Sequence, residues 1–143
     1  MRRSSLLKLL AGALLFGTPL APAYNHQPIQ QAQKMDTGFI EISDDISLRH
    51  IVVGNTNGRA KGTVLLLHGF PEAAFVWDEV MQRLEGRVQC VAPNLRGYER
   101  SSAPAEVQAY RAKHLVADIA AVIEALGAPI ELLVAHDWGG AVA

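Results

Sequence analysis

The sequence has a single cysteine, no run of like charges and no long apolar segment, and each absence excludes a class of protein. Cys90 alone cannot form an internal disulfide, and its apolar neighbours Val88 and Val91 predict a buried structural thiol. A formal net charge of −1 gives no basic surface for nucleic acid. The apolar stretch Leu9–Phe16 is too short for a bilayer span, which needs about 20 apolar residues. Half of the 143 residues are hydrophobic, so we expect a globular domain.

The first 23 residues have the pattern of a secretory signal peptide. Their only charges, Arg2, Arg3 and Lys8, are positive and precede the apolar stretch, and Ala21-Pro22-Ala23 ends the segment. We expect cleavage after Ala23 and export to the periplasm or the medium, without stable membrane association. The mature chain would carry 10 Lys and Arg against 14 Asp and Glu, a net charge of −4. The alternatives are an uncleaved anchor and a mispredicted start codon, and the two arginines are also compatible with a twin-arginine signal.

A polar leader at residues 24–37 precedes a pattern that predicts one α/β domain over residues 38–143. Strands are predicted at Phe39–Ile42, Ile46–Val53, Thr63–Leu67, Val88–Ala92 and Ile130–Ala135. Helices are predicted from an apolar stripe of Val76, Trp77, Val80, Met81 and Leu84, from a second stripe of Leu115, Ile119, Val122, Ile123 and Leu126, and from Trp138 onward. This order predicts a mostly parallel sheet with helices on both faces and an antiparallel N-terminal hairpin. Ligands bind such sheets beyond the carboxyl ends of the strands.

The strongest candidate site is Ala135-His136-Asp137-Trp138-Gly139-Gly140, which follows a strand and opens a helix. A sharp strand-to-helix turn that exposes a nucleophile needs small residues around it, which Ala135, Gly139 and Gly140 supply. Asp137 occupies the central position, and an ionised carboxylate can attack carbon and form an ester. The alternative is that Asp137 is only a helix N-cap.

A second motif, His68-Gly69-Phe70-Pro71-Glu72, directly follows the strand Thr63–Leu67. A turn at this place can present a backbone N–H to an oxyanion. We expect the N–H groups of Phe70 and Trp138 to form the oxyanion hole. His68 is interpreted as a residue that fixes the turn rather than as a catalytic base.

A third segment, Asn94–Ser102, is a glycine-containing loop after a strand, and we interpret it as structural. His26, His50 and His114 lack metal-ligand spacing and are interpreted as surface or satisfied core residues. We expect no metal site and no cofactor.

Together the three motifs resemble the α/β-hydrolases of the epoxide hydrolase and haloalkane dehalogenase group. His68–Glu72 resembles the HGFPE of epoxide hydrolases, and His136–Gly140 resembles their HDWGG elbow. Asn94–Ser102 resembles their DLRGYGxS loop, with Asn94 in place of Asp and Glu99 in place of Gly. The resemblance covers residues 38–143.

The resemblance implies that Asp137 opens an epoxide to form an alkyl-enzyme ester, which water then hydrolyses. The small-molecule partner would be an epoxide or, in the alternative, a halogenated alkane. Dehalogenases of the group use the residue matching Trp138 to hold the halide, but they usually carry Asn at the position of Phe70, which favours epoxides. Fluoroacetate dehalogenases place arginines at the positions of Trp138 and Ala141, which makes that substrate a poor match.

In this group the catalytic acid, the histidine and the lid follow the elbow in chain order. The sequence ends at Ala143, so we interpret it as the N-terminal half of such a domain, truncated after the elbow and inactive alone. The alternative from another class is a non-catalytic remnant that dimerises through its open sheet edge.

Overall fold

The computed structural model describes residues 35–54 and 62–143. The strands are β1 (Asp36–Ser43), β2 (Ile46–Val53), β3 (Thr63–Leu67), β4 (Gln89–Pro93) and β5 (Ile130–Ala135). The α-helices are α1 (Asp78–Leu84), α2 (Ala112–Leu126) and α3 (Trp138–Val142), and single 3₁₀ turns lie at Ala74–Trp77 and Val107–Tyr110. The predicted signal peptide and most of the predicted leader lie outside the described residues.

The five strands form one mixed sheet in the order β1-β2-β4-β3-β5. The β1–β2 and β2–β4 pairs are antiparallel, whereas β4–β3 and β3–β5 are parallel. Every strand except β2 therefore runs in the same direction. The predicted α/β class, with its antiparallel N-terminal hairpin, is confirmed. The bounds of β2, β3 and β5 match the prediction, but β1 begins at Asp36, so its first two residues come from the predicted leader.

Helices cover both faces of this sheet, as predicted. Successive side chains of β3 point to opposite faces, and they therefore belong to two separate apolar clusters. Leu65 and Leu67 pack with Ile119 and Val122 of α2 and with Val142 of α3. On the other face, a second cluster joins one set of strand residues to Met81 of α1: Ile51, Val53, Val64, Leu66, Cys90 and Ala92. Cys90 is fully buried, and burial raises the pKa of its thiol, which confirms the structural interpretation.

The apolar stripe predicted for the first helix is wrong in detail. Met81 is fully buried, and Trp77 and Leu84 pack against the core, but Val76 and Val80 are exposed. The cause is the 3₁₀ turn at Ala74–Trp77, which changes the residue period just before α1 begins and so rotates the buried face. In α2 the predicted stripe is confirmed for Ile119 and Val122, which are buried, but it is wrong for Ile123, which is exposed. The helix is followed by Gly127 in the left-handed conformation. None of the helices in 35–54 and 62–143 is long and apolar enough to cross a membrane.

Candidate active site

The motifs at His68 and at Asp137 meet because their strands are neighbours. Leu67 at the end of β3 pairs with Ala135 at the end of β5, and the two strands run in parallel. The turn beginning at His68 and the turn beginning at His136 therefore leave the same edge of the sheet side by side. This arrangement brings Phe70, Asp137 and Trp138 together, as the sequence predicted.

The turn around Asp137 is sharp and strained. Asp137 has φ 51° and ψ −117°, and it is one of two residues other than glycine with positive φ among those described. Such a conformation costs about 1–3 kcal/mol and persists only where the surroundings impose it. The strained residue is the one that the sequence singles out as a nucleophile.

Close backbone approaches explain two of the glycines around this turn. A Cβ on Gly139 would lie 2.6 Å from the carbonyl oxygen of Leu67, and a Cβ on Gly69 would lie 2.5 Å from Cβ of Asp137. The turn can therefore pack against the end of β3 only because both residues lack a side chain. Gly140 differs, since a Cβ there would meet nothing within 4 Å, so its predicted steric role is not supported.

The carboxylate of Asp137 is exposed and is held by backbone donors. The N–H of Phe70 donates to Oδ1 of Asp137 at 2.8 Å. This bond, followed by the N–H of Trp138 and by the charge of His136, lowers the pKa of Asp137. The carboxylate is therefore ionised at neutral pH. Of the two backbone donors predicted for the oxyanion hole, the N–H of Phe70 bonds the carboxylate directly, and the N–H of Trp138 contributes to stabilising its charge.

The N-cap interpretation of Asp137 is not supported. Its side chain makes no capping hydrogen bond to α3, and its backbone is far from the extended conformation that an N-cap residue adopts. The side chain instead crosses to the neighbouring turn at Phe70.

Large apolar side chains flank this exposed carboxylate. Phe70 is 65% exposed and Trp138 is 52% exposed, although both are side chains that normally bury most of their surface. An anion beside unpartnered aromatic surface is suited to an uncharged, largely apolar small molecule.

His68 is fully buried and fixes the turn, as the sequence analysis predicted. Its Nδ1 lies 2.9 Å from the carbonyl oxygen of Gly69, and its Nε2 accepts a hydrogen bond from the N–H of Leu95 at 3.0 Å. Both ring nitrogens are therefore occupied by backbone groups. Burial lowers the pKa of His68, so the ring is neutral at neutral pH. The ring also packs edge-on against Tyr98, with centroids 4.7 Å apart.

The loop at Asn94–Ser102 is tied to β2, which supports its structural interpretation. The hydroxyls of Ser101 and Ser102 accept hydrogen bonds from the N–H groups of Arg49 and Ser47, at 3.0 and 2.9 Å. Oγ of Ser101 also donates to the carbonyl oxygen of Asn94 at 2.7 Å. These bonds fix the loop next to the turn that His68 supports.

A buried ion pair connects the same loop to α2. Arg96 donates to Asp118 through Nε at 2.8 Å and through Nη2 at 2.6 Å, and its Nη1 donates to the carbonyl oxygen of Ala109 at 2.9 Å. Both charged side chains are less than a tenth exposed. The positive charge of Arg96 is therefore neutralised inside the protein and is not available to a substrate.

One contact of the site was missed by the sequence analysis. Nδ1 of His136 lies 3.3 Å from Oε2 of Glu72, without the geometry of a hydrogen bond. Because a neutral imidazole carries no charge, the two residues form an ion pair only when His136 is protonated. The signal that could have revealed it is their shared position after β3 and β5. No group of three His, Cys, Asp or Glu residues within 35–54 and 62–143 is arranged to hold a metal ion.

A strand, a strained turn carrying an exposed carboxylate and a helix packed on β3 have the geometry of a nucleophile elbow. A model of the α/β hydrolase fold matches residues 62–143, more than half of the sequence. The chain belongs to the α/β-hydrolase fold family.

Several curated relatives of this α/β-hydrolase are named as epoxide hydrolases. Epoxide hydrolase 4 of Mus musculus is 37% identical over 105 residues, which are 73% of this chain and 29% of the mouse protein. An epoxide hydrolase of Caballeronia sordidicola is 36% identical over 96 residues, 66% of this chain and 29% of the relative. The chain thus spans less than a third of the length of these two relatives.

Two solved structures that are similar to this chain are also named as epoxide hydrolases. An epoxide hydrolase from Vigna radiata has a TM-score of 0.65 and 36% identity, with 76% of this chain and 33% of that one covered. A second structure, one of a set of epoxide hydrolases from metagenomes of hot environments, has a TM-score of 0.69 and 35% identity, covering 78% of this chain and 36% of that one.

Proposed function

We propose that this α/β-hydrolase is part of an epoxide hydrolase that attacks its substrate with Asp137. The observation that carries the proposal is the exposed carboxylate of Asp137, placed on a strained turn and held by the N–H of Phe70. Most α/β-hydrolases with this turn would use a serine there, and a carboxylate instead favours substitution at an sp³ carbon. The relatives named as epoxide hydrolases support the same substrate class.

In the first step a carboxylate oxygen of Asp137 attacks one ring carbon of the epoxide. The carbon–oxygen bond of the strained ring breaks, its electron pair stays on the epoxide oxygen, and that oxygen takes up a proton. An alkyl ester of Asp137 results. This attack requires an ionised carboxylate, which the lowered pKa of Asp137 supplies.

In the second step water adds to the carbonyl carbon of the ester. A negative charge develops on the former carboxylate oxygen, and the N–H groups of Phe70 and Trp138 are directed at this carboxyl group in the free protein. Such donors strengthen as charge develops, and loss of one costs about 3 kcal/mol of barrier in comparable sites. Collapse of the intermediate breaks the bond between the carbonyl carbon and the alkyl oxygen, and that oxygen takes one proton of the attacking water to complete the diol. The second proton is released, which balances the proton taken up in the first step, and the carboxylate is restored.

A haloalkane dehalogenase is the second candidate, and the exposed indole of Trp138 favours it. That indole lies beside Asp137, where an N–H donor could hold a departing halide. Phe70 weighs against it, because dehalogenases of the group usually have Asn at this position.

Mass spectrometry of the Asp137 peptide tests both candidates. A natural-length variant, in which the catalytic histidine implied by the resemblance is replaced so that the ester is not hydrolysed, is incubated with a panel of epoxides and, in parallel, of haloalkanes, with the further change Asp137→Ala as the control. We expect an adduct on the Asp137 peptide from epoxides and none in the control. An adduct from haloalkanes alone would support the dehalogenase, and an unmodified peptide with both panels would remove the support for an aspartate nucleophile and favour the non-catalytic alternative.

We also propose that the protein is exported through its N-terminal signal peptide. The support is the basic start, the short apolar stretch and the Ala21-Pro22-Ala23 ending. N-terminal sequencing of exported protein should begin at Tyr24, and retention of Met1 on soluble protein would contradict the proposal.

A further inference from the structure

An apolar cavity adjoins the elbow on the α2 side of the sheet. Its volume is about 170 Å³, and it lies between the 94–98 loop, the start of α2 and α3. The residues that form its wall are mostly apolar or aromatic: Leu95, Tyr98, Tyr110, Leu115, Trp138 and Val142.

Two of the polar side chains in this wall, those of Arg96 and Tyr110, are already hydrogen-bonded. The guanidinium of Arg96 is paired with Asp118, and the hydroxyl of Tyr110 donates to the carbonyl oxygen of Pro104 at 2.9 Å. A charged or strongly polar ligand would therefore find no free partner among these groups. The cavity suits an uncharged apolar group instead.

Two residues connect the cavity to Asp137. Trp138 directly follows Asp137 at the start of α3, and the side chain of Trp138 forms part of the cavity wall. Tyr98, in the same wall, packs edge-on against His68 with ring centroids 4.7 Å apart. The turn that His68 begins donates to Asp137 through the N–H of Phe70. A molecule attacked at Asp137 would therefore have its nearest substituent beside this cavity.

The volume indicates the size of that substituent. An engineered cavity of about 150 Å³ lined by apolar side chains stays dry and binds benzene in another protein. The cavity beside Trp138 is slightly larger and is similarly apolar.

We propose that this cavity is the subsite for a single aromatic ring or a compact alkyl group on the epoxide. The proposal rests on the proposed function, since it assigns the substrate's substituent to a place beside Asp137. It identifies Leu115 and Ala112 as specificity-determining positions, because both line the cavity from α2.

Ring binding can be tested without any reaction. Fluorobenzene is titrated into the protein of natural length and followed by ¹⁹F NMR. Leu115→Phe fills the cavity, and Val116→Phe adds the same side chain at a neighbouring exposed position. Ala112→Leu and Ala120→Leu form a second, milder pair, in which Ala120 lies outside the cavity on the exposed side of α2. Thermal unfolding of each variant shows which of them fold.

We expect fluorobenzene to bind the unaltered protein and both control variants, and to bind the two cavity variants more weakly by about tenfold. The ratio of the rates of Asp137 alkylation by styrene oxide and by propylene oxide should fall by about tenfold in the cavity variants alone.

Equal fluorobenzene binding in all variants, or none in the unaltered protein, would overturn the proposal, as would an unchanged alkylation ratio. Fluorobenzene binds the cavity selectively but neither epoxide alkylates Asp137 if the proposed function is wrong. In that case the assignment of the cavity to a substituent of the epoxide is also wrong. The two failures are therefore distinguishable.

Discussion

Glu99 occupies a backbone conformation that glycine adopts more easily. Its φ is 48°, and the related loop motif has Gly at this position. A residue with a side chain in the left-handed region destabilises the folded protein by about 1–2 kcal/mol. Replacing it with glycine removes this strain, but the gain is partly offset because glycine has more conformational freedom in the unfolded chain. Glu99, in place of the Gly of the related motif, thus lowers the stability of the folded protein, and nothing else in the structure explains the presence of Glu at this position.

Glu99→Gly should therefore stabilise the protein by about 0.5–1 kcal/mol, measured as a shift of the urea unfolding midpoint. Gly97→Ala is the matched opposite, because Gly97 has φ 90° and an added Cβ would lie 2.8 Å from Cε1 of Tyr110. It should destabilise the protein. A loss of stability in Glu99→Gly would show that the Glu99 side chain contributes more than its backbone costs.

The pH dependence of alkylation at Asp137 follows from the direction of its pKa shift. The N–H of Phe70, the N–H of Trp138 and His136 all lower the pKa of this carboxyl group. Since the ordinary value for aspartate is about 3.9, the carboxylate is fully ionised from neutral pH down to well below pH 5.

The rate of adduct formation on Asp137 should thus stay constant from pH 8 to about pH 5 and fall only as the pH passes below the ordinary aspartate value. Single-turnover mass spectrometry over this range measures it, with unfolding followed in parallel to exclude acid denaturation. A rate that falls already between pH 7 and pH 6 would indicate that a histidine, and not Asp137, controls the step.

At the scale of elements, the two glycines that follow Trp138 have unequal roles. A Cβ added to Gly139 would lie 2.6 Å from the carbonyl oxygen of Leu67 and 2.8 Å from that of His68, whereas Gly140 faces open space. The packing of α3 onto the end of β3 therefore depends on Gly139 alone of the two.

Gly139→Ala should destabilise the protein by about 1–3 kcal/mol, because backbone at the end of β3 cannot move away cheaply. Gly140→Ala should be neutral or stabilising by up to about 1 kcal/mol, as alanine favours a helix over glycine. Urea unfolding of both variants provides the comparison, and equal losses in the two would refute the assigned packing.

The same elements show why some of the structure could be predicted from sequence and some could not. Thr63–Leu67 is predicted with correct bounds because a fully buried strand is a continuous apolar run between turn residues. Ile130–Ala135 is also predicted with correct bounds, although it is only partly buried and contains Glu131. The motifs at Phe70 and Asp137 were brought together correctly, since neighbouring parallel strands end at one edge. The stripe of α1 was wrong because a 3₁₀ turn changed the residue period, which periodicity over a mixed segment does not reveal. The positions of His136 and Glu72 after β5 and β3 place them at one edge of the sheet, but the distance between their side chains depends on conformations that the sequence does not specify.

At the scale of the whole molecule, the α2 face of the sheet combines an apolar core with one buried charge pair. Arg96 and Asp118 join the loop after β4 to the middle of α2, across the same region that contains the cavity beside Trp138. A buried charge without its partner is far more costly than the pair itself is favourable. The ion pair therefore fixes the loop after β4 against the middle of α2.

Asp118→Ala should destabilise the protein by about 3–5 kcal/mol, since it leaves the guanidinium of Arg96 buried and unpaired. The double variant Arg96→Met/Asp118→Leu removes both charges while it keeps apolar volume, and it should recover to within about 2 kcal/mol of the unaltered protein, the remainder reflecting the lost hydrogen bond to Ala109. Urea unfolding of Arg96→Met, of Asp118→Leu and of the double variant yields the coupling energy. If the double variant is as unstable as the sum of the single variants, the two charges are not coupled and the loop is fixed to α2 by other contacts.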